Sequence, residues 1–157
     1  MNNLKIYTDK DINIDVIKGK KIAIVGVGPI LYTAQKAIEQ IEAENEKLKV
    51  GLYDLRFLKP MDNELLHEIG KQYDLIYTIE DGTIIGGVGS AVEEWMMDNG
   101  YQPKIVRLGL PDEFVEHGSQ AELFRMLELD AEGIYNKLKI ENYCGKREKK
   151  ELAHYAK

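Results

Sequence analysis

The sequence predicts a three-layer α/β/α domain built on a mostly parallel sheet of about five strands. Short apolar runs rich in β-branched residues alternate with longer segments in which apolar residues recur at helical spacing. Strands joined by helices form parallel sheets that are covered on both faces. The chain has 157 residues, of which 44% are hydrophobic and 31% charged, and this composition is typical of a single packed domain.

In the first half of the chain, the apolar run at residues 21–26 ends in a glycine and predicts a buried strand. Helical spacing of apolar residues after Pro29 predicts a helix that ends near residue 47, and a second strand follows at residues 49–54. Asp62 has a side chain suited to an N-cap, so we expect a helix over residues 64–73.

In the second half, strands are predicted at residues 74–79 and 104–108. A helix is expected between them, opening at the glycine-rich residues 86–90 and ending at Asp98. Two short helices are expected at residues 120–127 and 131–138, where apolar residues return to helical spacing.

The two ends of the chain differ from this regular alternation. Residues 12–17 alternate between apolar and polar side chains, which predicts one added antiparallel strand at an edge of the sheet. We predict a single domain over residues 1–141. A charged tail over residues 142–157 would form either a last helix or a frayed end.

Charge and cysteine content favour a soluble, cytoplasmic protein. Lys and Arg total 21 against 27 Asp and Glu, for a net charge of −6, whereas a nucleic-acid-binding surface needs a surplus of basic charge. The single cysteine, Cys144, cannot form an internal disulfide. No apolar run approaches the roughly 20 residues that a membrane span requires. We therefore expect neither a nucleic acid nor a membrane as a partner.

The first glycine turn, Gly26-Val-Gly28, begins like a dinucleotide-binding motif. The third glycine of that motif is replaced by Leu31, whose Cβ would block the close approach of helix to strand. The acidic residue that ends the next strand, Asp54, also stands farther along the chain than the motif requires. A tight strand-to-helix turn with Pro29 near the helix start is the favoured interpretation.

The second glycine turn combines Glu80 with Gly86, Gly87, Gly89 and Ser90. Free N–H groups at a helix N-terminus suit an anion or an acidic partner, although no lysine follows the serine as in a phosphate-binding loop. Glycines also let a turn pass close to another backbone. We favour close packing, across a domain or subunit boundary, over a ligand site.

The third turn contains Asp112, Glu116 and His117, which could form a carboxylate–imidazole pair for proton transfer. The same residues could instead serve only local structure, with Asp112 capping a turn and His117 forming a backbone hydrogen bond. This interpretation is favoured, because no partnered nucleophile stands nearby in the sequence. The three histidines and Cys144 show no metal-ligand spacing. We therefore predict no catalytic, cofactor-binding or metal-binding residue in this chain.

Taken in order, the motifs of these turns resemble a known family. They are Gly26-Val-Gly28, Asp-Leu-Arg-Phe-Leu-Lys-Pro at residues 54–60, Gly-Gly-Val-Gly-Ser at residues 86–90, Leu-Gly-Leu-Pro-Asp at residues 108–112 and Glu-His-Gly at residues 116–118. Together they resemble the C-terminal domain of 1-deoxy-D-xylulose-5-phosphate synthases, within the transketolase C-terminal domain family, over about residues 12 to 140. The last two motifs indicate the synthase branch.

The resemblance implies a transferase that depends on thiamine diphosphate and magnesium. Enzymes of this family condense pyruvate with glyceraldehyde 3-phosphate, with loss of carbon dioxide, at the entry to isoprenoid biosynthesis. The family's cofactor-binding domains lack counterparts in this sequence. The resemblance therefore implies a support and dimer-interface domain that is inactive alone and binds no cofactor by itself. Its partners would be the missing N-terminal and middle domains and a second copy in a homodimer.

The resemblance also suggests roles for the turns. Gly86, Gly87, Gly89 and Ser90 would form a close-packed turn at a contact between domains or subunits, beside Glu80. A Gly87→Val substitution is then expected to weaken association without unfolding the domain.

A second set of residues would form a buried or interfacial polar network: Asp54, Arg56, Asp112, Glu116 and His117. Planar, bidentate contacts from the arginine suit such a network.

Two alternatives remain open. One is a stand-alone interaction or regulatory module that binds an anion or a partner at residues 86–90. The other is the C-terminal domain of a 2-oxoacid dehydrogenase beta subunit or a 2-oxoacid:ferredoxin oxidoreductase. The motifs at residues 108–112 and 116–118 disfavour the second alternative.

Overall fold

A four-stranded parallel sheet forms the centre of the domain. The computed structural model describes residues 21–144, and the strand order within them is β2-β1-β3-β4. The strands are β1 (Ile22–Gly26), β2 (Val50–Asp54), β3 (Leu75–Thr83) and β4 (Lys104–Leu110). The predicted α/β class and parallel sheet are confirmed. The edge strand expected at residues 12–17 and most of the charged tail lie outside the described residues.

Five helices are described around this sheet. They are α1 (Ile30–Glu44), α2 (Asn63–Gln72), α3 (Val88–Asp98), α4 (Gln120–Met126) and α5 (Ala131–Cys144). Each predicted helix is present, and two of them end three or more residues from the predicted position. Helix α1 ends at Glu44, short of residue 47, because the backbone of Asn45 is extended. Helix α5 runs on to Cys144, past residue 138.

Strand β1 is buried on both faces and separates two apolar cores. Ile22 and Ile24 face the core formed with α1 and α5, whereas Ala23 and Val25 face the core formed with α2 and α3. This division follows from the alternation of side chains along a strand. All four side chains are at most 1% exposed, which explains why β1 reads as an uninterrupted apolar run.

The first core is closed by the packing of α5 on α1. Ile134 and Leu138 of α5 are buried with Ile38 of α1. At the rim, the Tyr135 hydroxyl donates a hydrogen bond to Glu44 Oε1. This hydrogen bond is the main reason that the pKa of Glu44 lies below its usual value. This hydrogen bond therefore links the last turn of α1 to α5.

The second core ends in an aromatic cluster between α2 and α3. His67 Nδ1 and the Tyr101 hydroxyl share a hydrogen bond of 2.9 Å, and the His67 and Trp95 rings meet edge to face with centroids 4.8 Å apart. Trp95 Nε1 donates to Asn63 Oδ1 at 2.9 Å. Polar contacts thus accompany the apolar packing of this face.

Helix starts follow side-chain caps where the sequence supplies them. Asp62 accepts a hydrogen bond from the Leu65 amide at 3.0 Å, so its predicted N-cap role is confirmed. Helix α4 begins with a capping box in which Ser119 and Glu122 satisfy each other's backbone N–H groups. Such caps fix where each helix begins.

Strands β3 and β4 are longer than the sequence predicts. Thr83 pairs with Leu110 beyond an irregularity in the register that follows Ile79. The two backbones come close there, since a Cβ on Gly109 would lie 2.8 Å from the Gly82 carbonyl oxygen. Glu80 therefore lies inside β3 rather than in a turn, and its side chain has a fixed position.

Tyr53 and Tyr73 form a hydroxyl pair beside β2. Their hydroxyl groups share a hydrogen bond of 2.8 Å, and their rings meet edge to face. Burial, followed by the hydrogen bond with Tyr73, raises the pKa of Tyr53 from 10.0 to about 12. The folded protein thus holds the proton of Tyr53 in a pH range where the unfolded chain releases it.

We predict that the free energy of unfolding falls between pH 10 and about pH 12, because only the unfolded chain loses the Tyr53 proton there. Urea unfolding at about pH 9 and about pH 11.5 measures the decline. The decline should be smaller in Tyr53→Phe, which has no proton to release at this position. Equal declines in the two proteins would contradict the assignment. A residual decline is expected in both, since burial also raises the pKa of Tyr135.

Candidate functional site

The loops that follow the four strands form one edge of the domain, called here the carboxyl edge. They comprise residues 27–29, 55–62, 84–87 and 111–119. Open parallel sheets bind their ligands at this edge, because the strand ends and the helix N-termini meet there. The candidate site residues of the three glycine and acidic turns lie in these loops or in the strands and helices that border them.

Glu80 is the buried acid of this edge. Its side chain lies at the start of α3, where Oε2 accepts a hydrogen bond from the Val88 amide at 2.8 Å and Oε1 accepts one from the Gly89 amide at 2.9 Å. The residue is only 6% exposed. A carboxylate at a helix N-terminus satisfies unpaired N–H groups and complements the helix dipole. Glu80 therefore acts as the N-terminal cap of α3.

Gly87 and Gly89 leave the space that this cap needs. A Cβ on Gly87 would overlap both the Glu80 carboxylate and the Thr83 carbonyl oxygen. A Cβ on Gly89 would lie 2.5 Å from the hydroxyl oxygen of buried Thr78. The expectation that Gly87→Val weakens association without unfolding the domain stays a prediction, but valine would displace the cap, so a cost in stability is now expected as well. Gly86 differs, because its φ of 70° calls for glycine although its Cβ position is open.

Arg107 and Ser90 continue the network across the turn. The Ser90 hydroxyl donates to the Ile84 carbonyl oxygen at 3.0 Å and accepts from the Arg107 guanidinium at 2.9 Å. The same guanidinium donates to the Ile84 carbonyl oxygen at 3.2 Å and forms an ion pair with Glu93 at 3.5 Å. Sequence reasoning did not single out Arg107, because these partners stand 14 to 23 positions away.

The structure thus brings Glu80, Gly86, Gly87, Gly89 and Ser90 together in one closed turn. The Gly86 amide is also used, since it donates to Ser90 Oγ at 3.1 Å. The carboxylate of Glu80 occupies the N-terminus of α3, where an added anion would otherwise bind. This geometry favours close packing over anion binding.

Asp54 and Arg56 form a local turn after β2. Asp54 Oδ1 accepts a hydrogen bond from the Arg56 amide at 2.8 Å, and Arg56 has a left-handed φ of 62°. Both side chains are exposed, so the domain by itself does not form the buried version of the predicted polar network. An interfacial role for the Arg56 guanidinium stays a prediction.

Asp112, Glu116 and His117 are all exposed in the loop between β4 and α4. Among residues 21–144, no hydrogen bond or ion pair joins them to one another or to Asp54 and Arg56. The structure therefore does not assemble a carboxylate–imidazole pair within this part of the chain.

The first glycine turn is explained by packing. A Cβ on Gly26 would overlap the Ile79 carbonyl oxygen of β3, and Leu31 is buried in the first core. Pro29 stands at the N-cap position of α1, as expected for a tight strand-to-helix turn. An open cleft of about 470 Å³ lies beside this turn, between Gly28 and Asp54.

Within residues 21–144, no three His, Cys, Asp or Glu side chains are grouped as metal ligands would be. In the same part of the chain, no helix combines the length and the apolar character needed to cross a membrane.

Comparison with known proteins identifies relatives of this domain. Residues 11–134 match the family described as "Transketolase, C-terminal domain". The 1-deoxy-D-xylulose-5-phosphate synthase of Phocaeicola vulgatus is 52% identical over 121 residues, which are 77% of this chain and 19% of that protein. The enzyme of the same name from Bacteroides fragilis is 51% identical over an alignment of 128 residues that covers 78% of this chain and 20% of that protein. The chain thus spans about a fifth of the length of these relatives.

A solved structure has the same fold. It is described as "Split gene transketolase, inactive beta4 tetramer" and is 34% identical to this chain, with a TM-score of 0.66. The match covers 75% of this chain and 38% of the solved one. At this level of identity, the likeness supports common descent as well as a common architecture.

We predict that Glu80→Ala lowers the free energy of unfolding by about 2–4 kcal/mol, because the buried Gly89 amide and the partly buried Val88 amide lose a charged acceptor. Asp81→Ala is the matched control, since Asp81 is the exposed acidic neighbour of Glu80. The control should change the free energy of unfolding by less than about 0.5 kcal/mol. Urea unfolding followed by circular dichroism measures both. Similar losses in the two variants would contradict the capping role.

Proposed function

Because this chain belongs to the transketolase C-terminal domain family, we propose that it serves as the C-terminal domain of a 1-deoxy-D-xylulose-5-phosphate synthase. The observation that carries the proposal is an identity of about 50% to several synthases of that name over three quarters of the chain. These identities also favour the synthase branch over the 2-oxoacid dehydrogenase and ferredoxin oxidoreductase branches.

In this proposal the chemistry belongs to the rest of the enzyme. The synthase would join pyruvate to glyceraldehyde 3-phosphate with loss of carbon dioxide, using thiamine diphosphate and magnesium. Residues 21–144 do not fit that cofactor, since no group of metal-ligating side chains is formed among them and both carboxylate oxygens of buried Glu80 already accept backbone hydrogen bonds. Magnesium would need several free oxygen ligands. We assign the cofactor to the four-fifths of the synthase that this chain does not cover.

The proposed role of this domain is support. Its partners are the N-terminal and middle parts of the synthase, within a homodimer that acts in the cytoplasm. The closed turn at residues 84–90 supports this role, because its polar groups are used in holding the turn rather than in contacting a ligand. The closest functional competitor is a stand-alone interaction module, and activity after transfer into a synthase separates the two.

We predict that this domain can replace the matching 128 residues of the Bacteroides fragilis synthase without loss of the reaction. The chimera should form 1-deoxy-D-xylulose 5-phosphate at a rate within about tenfold of the parent, because conserved packing costs little when about half of the residues are identical. Product formation from pyruvate and glyceraldehyde 3-phosphate measures it.

Two controls accompany the chimera. The parent synthase without its C-terminal region should be inactive, and the isolated chain should neither turn over the substrates nor bind thiamine diphosphate with magnesium in calorimetry. A folded but inactive chimera would count against the proposed function. Turnover by the isolated chain would overturn it.

A further inference from the structure

The carboxyl edge exposes one large apolar side chain after each strand. Tyr32, in the first turn of α1, is 73% exposed, and Phe57, in the loop after β2, is 55% exposed. Ile85, in the loop after β3, is 59% exposed, and Phe114, in the loop after β4, is 106% exposed. Isolated apolar side chains on a surface are ordinary, but a series along one edge indicates a contact surface.

Phe114 stands out within this series because its loop does not bury it. Between residues 111 and 118, no hydrogen bond to another described residue holds the loop in place. Both ends of the loop are fixed: Leu110 accepts a hydrogen bond from the Ile84 amide at 3.0 Å, and Ser119 begins the capping box of α4. The domain therefore presents Phe114 on a short span between two anchored ends.

The surroundings of Phe114 are acidic. Asp112, Glu113 and Glu116 flank it, and the sequence contains neither Lys nor Arg between Arg107 and Arg125. A partner surface that buries Phe114 must therefore bring cationic groups opposite these carboxylates, since desolvated like charges would repel.

We propose that the carboxyl edge, centred on Phe114 and its acidic loop, docks onto the part of the synthase that precedes this domain. The partner surface would offer an apolar recess for Phe114, bordered by Lys or Arg side chains. The inference rests on the proposed function, and it names the surface through which this domain would support the rest of the synthase. It places the main contact at residues 111–118, because the turn at residues 84–90 uses its polar groups internally.

The length of the relatives argues for this occupant. This domain is about a fifth of the synthases that it matches, so in such a synthase a much larger body of protein is available to cover this edge. Contacts between domains typically bury about 600–1,500 Å². Three aromatic side chains and an isoleucine fit such a contact, because each aromatic group brings about 150–250 Å².

Hydrogen exchange in the chimera with the Bacteroides fragilis synthase tests the proposal. We expect the amides of residues 112–118 to exchange at least tenfold more slowly in the chimera than in the isolated chain. Phe114→Ala should restore fast exchange in the chimera and reduce its activity. Met97→Ala is the matched control, because Met97 is 73% exposed near the end of α3, at the opposite edge of the domain. This variant should change neither the exchange rate of the loop nor the activity of the chimera.

The acidic loop supplies a second variant. Glu113→Lys with Glu116→Lys should also speed exchange in the chimera, and the effect should be larger at low salt than at high salt. Both side chains are exposed, so the fold of the domain should be unchanged by circular dichroism.

The outcomes separate this inference from the proposed function. An active chimera whose loop exchanges as fast as in the isolated chain would overturn the docking surface while the proposed function stands. An inactive chimera without protection would count against both. Protection that grows with the concentration of the isolated chain would show that a second copy covers this edge, and it would also overturn the proposal.

Discussion

The capping of α3 by Glu80 is the interaction on which the carboxyl edge depends. Glu80 lies in β3 just after the regular pairing with β4 is interrupted, and its two carboxylate oxygens hold the first amides of α3. The absence of side chains at Gly87 and Gly89 allows the carboxylate to approach. A charged hydrogen bond inside the protein is strong when it is satisfied and costly when it is not, so the helix position is closely fixed.

The other features of the edge follow from that position. Once α3 is fixed, Ser90 lies where Arg107 and Ile84 meet it, and the turn is closed by its own polar groups. The apolar side chain of Ile85 then points away from the turn and is exposed. The same arrangement thus leaves few polar groups free for a ligand and makes the loops suitable for contact with protein.

Much of the fold could be predicted because its signals are local. The apolar run of β1 and the N-cap at Asp62 are visible within a few residues. The extension of β3 could not be predicted, because it depends on pairing between Thr83 and Leu110 across the sheet. The glycine turn was found from composition, whereas the part that Arg107 takes in it was missed, because its partners stand 14 to 23 positions away.

The Glu80 cap joins residues that are only eight and nine positions apart in the chain. Short loops of this kind close at a low entropic cost. The carboxyl edge therefore folds within the domain itself and does not depend on binding to a partner. A preformed edge can be delivered to an enzyme as part of the same polypeptide or as a separate subunit. A covalent link between this domain and the rest of the enzyme would then chiefly raise the effective concentration of the two parts. It would not be needed to shape the contact surface.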